Sequence, residues 1–179
     1  MSTVEAIKDK KRLKKVEKFL SKNKRDLLIF NIGINCGLRV SDILNLDVGD
    51  VKNKNLVQIK EKKTDKIKQF PINSKLKPMI EEFTKGKNLN EPLFTTIFKN
   101  RMERTYVYKF IKKACKKANL DIKVGTHTMR KTFGYHHYKQ FNDIAMLQKI
   151  FNHSSQDVTL RYIGIEQDEI NESYKNFIL

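Results

Sequence analysis

No stretch of the 179-residue chain stays apolar over the ~18–20 residues that cross a bilayer, and no secretory leader pattern opens it. Cysteine is scarce. Cys36 and Cys115 stand alone without a CxxC neighbour, and with four histidines they do not make a zinc module of the usual spacing. Three prolines and seven glycines are too few for a Pro/Gly-rich linker, and no internal repeat or low-complexity segment divides the chain. There is no Walker-type glycine loop and no carboxylate cluster. Hydrophobic content is low at 39% but falls in periodic blocks, which argues against wholesale disorder. The expectation is one soluble, cytoplasmic, metal-poor domain, long enough to bury a core.

What the chain has in excess is positive charge. Lys and Arg total 37 against 20 Asp and Glu, a formal net charge of +17. So large an imbalance on one small domain points to a polyanionic partner, nucleic acid first, over a merely solvated surface. The distribution is uneven. Residues 1–25 carry ten basic and three acidic side chains, whereas from Tyr162 onward Glu166, Asp168, Glu169 and Glu172 oppose Lys175 alone.

Periodicity predicts a mostly helical chain with one small β element (an α+β class). Leu13, Val16, Phe19 and Leu20 lie at helical spacing over 11–21, and 26–36 reads as a buried helix ended by Gly37. Ser41 is placed to cap a short helix, SDILNL. Residues 55–60 and 67–72 read as two strands joined by a polar turn, with Pro71 holding the second to an edge or ending it. Helical pattern returns at 74–84, and Pro92-Leu93-Phe94 reads as a short extended piece. Further helices are expected near 104–118, 127–139, 143–151 and 167–177.

Four places hold polar residues that this pattern does not require. Arg39 and Asp42 follow Gly37, where a guanidinium fork suits two phosphate oxygens. His127 and Arg130, at i and i+3 on one helix face with Thr126 as a candidate cap, pair a general acid/base with a cation. Asn152 can take the left-handed conformation that leaves His153 at a turn, with Tyr162 nine residues on. The hairpin turn carries Lys62, Lys63 and Lys66. Taken singly, each has a plainer explanation: a surface ion pair, a chance HxxR, a packed tyrosine, a solvated charge run.

Taken in order, GLRVSDILNL, a lysine eight residues before Pro71, PLF, HTMRKTF and NHSS…TLRY resemble the catalytic domain of the tyrosine recombinases, the phage-integrase family. The resemblance covers nearly the whole chain. It implies that Arg39 and Arg130 clamp the scissile phosphate, and that Lys63 protonates the 5′-oxygen leaving group, with Lys62 and Lys66 as alternatives. It implies that His127 is the general base/acid partner, that His153 hydrogen-bonds the phosphate, and that Asp42 supports the site from behind. Tyr162 would be the nucleophile of a 3′-phosphotyrosine link. The partner implied is double-stranded DNA, with no cofactor, no metal and no membrane. A phenol of ordinary pKa near ~10 must lose its proton during attack, and guanidinium groups can stabilise charge on phosphorus where other enzymes use a metal.

The chain departs from the family pattern in places. Phe151-Asn152-His153 stands where LGH is common, Lys131 follows Arg130 where a histidine is frequent, and GYHHY replaces smaller residues. The expectation for residues 1–179 is a single catalytic domain, with the family's N-terminal core-binding domain absent from this chain. Two other functions fit parts of the pattern. A DNA-binding regulator that kept the fold would not need Tyr162 with both arginines, and a type IB topoisomerase would relax supercoils without recombinant products. Beyond Tyr162, Ile170, Tyr174, Phe177 and Ile178 fall at i, i+4, i+7 and i+8 of an acidic tail, with Gly164 as its hinge. The resemblance suggests that this tail docks on a neighbouring protomer; packing on its own domain is the competing expectation.

Overall fold

Side-chain caps open the first two helices of the computed structural model, which describes residues 4–60 and 67–178. Asp9 accepts from the Arg12 N–H to start α1 (Lys10–Leu20), and Asn23 accepts from the Arg25 and Asp26 N–H groups to start α2 (Lys24–Cys36). α1 buries only Val16 and Leu20, with its lysines outward. α2 is buried without a break from Leu28 to Gly33 and again at Cys36, so it is a core helix rather than an amphipathic one. It ends at Gly37, whose φ of 60° lies in the left-handed region that glycine enters without strain.

Two short helices follow, α3 (Val40–Asn45) and α4 (Val48–Val51), and then a hairpin of β1 (Leu56–Lys60) and β2 (Ile67–Pro71) paired antiparallel with Val57 opposite Phe70. Pro71 ends its strand, as a residue without an N–H should. After α5 (Leu76–Thr84) the extended piece at 92–94 passes behind α3. Its Leu93 N–H donates to the Leu46 carbonyl at 2.9 Å, and Leu93 and Phe94 are fully buried. Arg101 donates to the Asn45 and Leu46 carbonyls at 3.0 and 3.2 Å, which satisfies the open end of α3.

The second half is helical: α6 (Arg104–Lys117), α7 (Thr128–Phe141), α8 (Ile144–Phe151), α9 (Gln156–Ile163) and α10 (Ile165–Asn176). α7 crosses α2 closely at Gly33, where an added Cβ would sit 2.7 Å from the Met129 sulfur. Two apolar clusters result. The larger surrounds α2, and the smaller gathers Leu147, Phe151, Ile163 and Ile165 with Phe133, Leu160 and Tyr162 against them.

Four local features differ from what the sequence leads one to expect. Residues 156–163 form a helix that the periodicity does not announce. α3 begins at Val40, so Ser41 lies inside it, and Arg39 holds the cap position with no side-chain cap bond. His127 rather than Thr126 precedes α7, because the Thr128 hydroxyl closes that turn by accepting from the Gly125 N–H at 3.0 Å. The tail helix also stops at Asn176, which leaves Phe177 and Ile178 beyond it.

Candidate active site

The functional candidates converge where the two clusters meet. The tight turn after α2 brings Arg39 to the start of α3, its guanidinium Nη1 3.8 Å from Oδ2 of the buried Asp42 carboxylate. The start of α7 delivers two further groups, His127 from the cap position and Arg130 from the first turn. His127 is exposed, whereas Arg130 is only 2% exposed. Arg130 Nη1 donates to the Gly37 carbonyl at 2.6 Å and Nη2 to the Phe151 carbonyl at 2.9 Å. Its guanidinium carbon stands 4.3 Å from the centroid of the Phe151 ring. One side chain thus ties the end of α2 to the end of α8.

α8 stops at Asn152, left-handed with φ of 54°, and the chain turns through His153 to Ser155. Ser155 caps α9 by accepting from the Val158 N–H. The Thr159 hydroxyl donates to the Ser155 carbonyl at 3.0 Å, and His153 Nδ1 lies 3.1 Å from the Thr159 hydroxyl oxygen. With the hydroxyl hydrogen used in this way, Nδ1–H is the donor and the neutral ring keeps Nε2 as its other polar atom. Burial, then the charges of Arg130 and Arg39, push the His153 pKa down to about 4.

Tyr162 is the next-to-last residue of α9, which lays it over α7. Its hydroxyl is 3.0 Å from His127 Nδ1, and its ring meets those of Phe151 and His153 edge-on with centroids 5.5 and 5.0 Å away. Burial raises the phenol pKa, while the charge and hydrogen bond of Arg130 and the charge of Arg39 pull the other way. The structure therefore brings Arg39, Asp42, His127, Arg130, His153 and Tyr162 into one place. Lys63, with Lys62 and Lys66, lies outside the described residues.

Three neighbours carry no role assigned from the sequence: Thr159, which orients His153; Lys68 of β2, whose Nζ donates to the Ile150 carbonyl at 3.1 Å; and Lys131, noted only as a departure from the family pattern, whose Nζ stands 5.0 Å from the centroid of the Tyr162 ring. Thr159 had a signal. Ser155 as a cap, Asp157 in the first turn and Gly164 as a stop outline a helix that carries it inward. Among the described residues no group of three or more His, Cys, Asp or Glu could hold a metal ion. What the site offers is two guanidinium groups, two imidazoles and a phenol, an arrangement suited to an anionic tetrahedral group attacked by an oxygen nucleophile.

Comparison with known proteins bears on the family and the fold. The model of the phage integrase family matches residues 8–169. The chain is 43% identical over 179 residues to the probable integrase/recombinase YoeC of Bacillus subtilis (strain 168), covering 98% of that protein. It spans about half the length of the longer bacterial and phage recombinases that it also matches. In fold it resembles the XerA recombinase, with a TM-score of 0.78 at 21% identity over 97% of this chain and 63% of that one. It also resembles the catalytic domain of bacteriophage HP1 integrase, with a TM-score of 0.64 at 20% identity over 96% and 95%.

Proposed function

The chain belongs to the phage integrase family of tyrosine recombinases, and from that premise we propose that it cleaves and rejoins strands of duplex DNA through a 3′-phosphotyrosine intermediate at Tyr162, without metal or ATP. The observation that carries this reading is the hydrogen bond between the Tyr162 hydroxyl and His127 Nδ1, made within the field of two arginines.

In the forward step the Tyr162 oxygen attacks the scissile phosphorus, and its proton passes to His127. A new O–P bond forms on the 3′ side as the bond to the 5′ oxygen breaks. That oxygen leaves with a proton from Lys63, the role the family pattern implies for it. Arg39 and Arg130 face the non-bridging oxygens and stabilise the charge that grows there. His153 adds a hydrogen bond to the same phosphate, and Asp42 holds Arg39. Rejoining runs the sequence backward: the 5′ hydroxyl attacks the phosphotyrosine and the phenolate leaves. The phosphodiester energy is kept in the covalent link, so no nucleotide triphosphate is consumed.

The chain acts in this reading as one catalytic domain on DNA, and its tail pairs it with another protomer during strand exchange. Tyr174, Phe177 and Ile178 stand 80%, 68% and 87% exposed, in keeping with a partner surface. Among the described residues no helix is long and apolar enough to cross a membrane. The test is incubation with a nicked suicide duplex whose cleaved end cannot rejoin. A protease-sensitive adduct at the 3′ end supports the reading; full occupancy of the DNA with no adduct contradicts it.

A further inference from the structure

The reaction above gives Lys131 no task, yet its position is an expensive one for a lysine. It lies four residues after His127 on the same face of α7, and it is 8% exposed. Its Nζ stands 5.0 Å from the centroid of the Tyr162 ring. Among the described residues no carboxylate reaches ion-pair distance, and Glu5 adds a longer-range attraction. Burial lowers the pKa of its ammonium. A cation that gives up this much hydration for an aromatic face interacts weakly with a neutral phenol and far more strongly with a phenolate.

That difference matters at two moments of the reaction. The tyrosine oxygen carries growing negative charge as its proton leaves for His127, and again when the phenolate is expelled in rejoining. An interaction stronger in those states than in the resting one speeds the step. On the reading that Tyr162 is the nucleophile, we propose that Lys131 is a positioning residue for it, holding the ring in the site and balancing the charge of its oxygen during attack and release. The other groups that face this ring are His127 and Arg130 of α7, Arg39 before α3, and His153 before α9. Asp168 of α10 is engaged elsewhere, by Lys8 at 2.6 Å.

The test uses the full chain and a suicide duplex in single turnover. Lys131→Met removes the charge at similar length, Lys131→Gln is the second neutral variant, and Lys131→Arg restores the cation. A single opposite charge at this range shifts an ionisation by about one unit or more. Both neutral variants should therefore cleave about tenfold more slowly at neutral pH, with the rising limb of the pH profile displaced upward by about one unit, and Lys131→Arg should recover most of the rate. Replacing the 5′ bridging oxygen by sulfur makes a leaving group that needs no proton. The deficit should persist on that substrate, because it arises on the nucleophile's side. Recovery on the sulfur substrate would make Lys131 a leaving-group acid and overturn the proposal, as would a pH profile like that of the unaltered chain in whichever neutral variant folds. If Tyr162→Phe still forms adduct, the functional reading itself fails, a different result from either of these.

Discussion

Replacing Arg130 by alanine removes a tie between two parts of the fold as well as the phosphate ligand of the proposed reaction. The guanidinium is 2% exposed and donates to the Gly37 carbonyl, 93 residues away in sequence, and to the Phe151 carbonyl. Each hydrogen bond from a charged donor contributes roughly 1.5–3 kcal/mol, and the stacking on Phe151 adds about 0.5–2 kcal/mol. Against this stands the cost of burying the guanidinium, which the alanine variant no longer bears. The net expectation for Arg130→Ala is a loss of roughly 2–4 kcal/mol of folding stability, with Arg130→Lys between it and the unaltered chain. The chain has no tryptophan, so far-UV circular dichroism in a urea series is the suitable assay. Cleavage measured where the variant is still folded should fall about 10²-fold or more, the scale of losing a preorganised donor. A stability loss under about 0.5 kcal/mol, the range of an ordinary surface change, would refute the bridging role.

Three further outcomes are expected. Cleavage should persist in excess EDTA, because guanidinium groups carry the charge stabilisation in the proposed step; a strict requirement for magnesium in single-turnover cleavage would rule that step out. His153, held at about 4 where an ordinary imidazole titrates at ~6.5, binds its proton more weakly folded than unfolded. Its contribution to stability is therefore complete above about pH 6.5 and is lost as pH falls toward 4, so His153→Gln should flatten the decline of thermal midpoint across that window; identical slopes would contradict the assignment. Deleting residues 166–179 should spare DNA binding but impair assembly of recombination complexes, read by native gels on paired sites. A truncated chain that recombines normally removes any such role from the tail, and an insoluble one makes the tail part of its own domain's packing.

Much of the site is legible in the chain because its backbone is set by short-range chemistry. Gly37 and Asn152 stop helices in left-handed conformations, and the residues just after them, Arg39 and His153, are carried to the same place. HTMR opens a helix, with His127 at its cap position and Arg130 in its first turn. The family order then links these pieces to Tyr162. Less legible is what depends on long-range contact. Lys131 reads as an ordinary helix lysine until α9 folds over it, and Thr159 as a surface threonine until its hydroxyl is seen between Ser155 and His153. The Ser41 and Thr126 caps fail for a related reason. A side chain suited to capping is displaced when a neighbour, Arg39 through its backbone or Thr128 through its hydroxyl, has already closed the turn. The tail is legible only as an apolar pattern. The hold of Lys8 on the Gly164 carbonyl and Asp168 joins segments more than 150 residues apart, which no local pattern could announce.

In the proposed reaction Tyr162 carries the covalent link, and finding the modified residue tests that most directly. After cleavage of a suicide duplex, nuclease trimming and proteolysis, the peptide spanning Tyr162 and Tyr174 is fragmented in a mass spectrometer to tell the two apart. A nucleotide on Tyr162, with no adduct in Tyr162→Phe, is the result expected. A nucleotide on Tyr174 or on any other residue, or an undiminished adduct in Tyr162→Phe, would contradict the account.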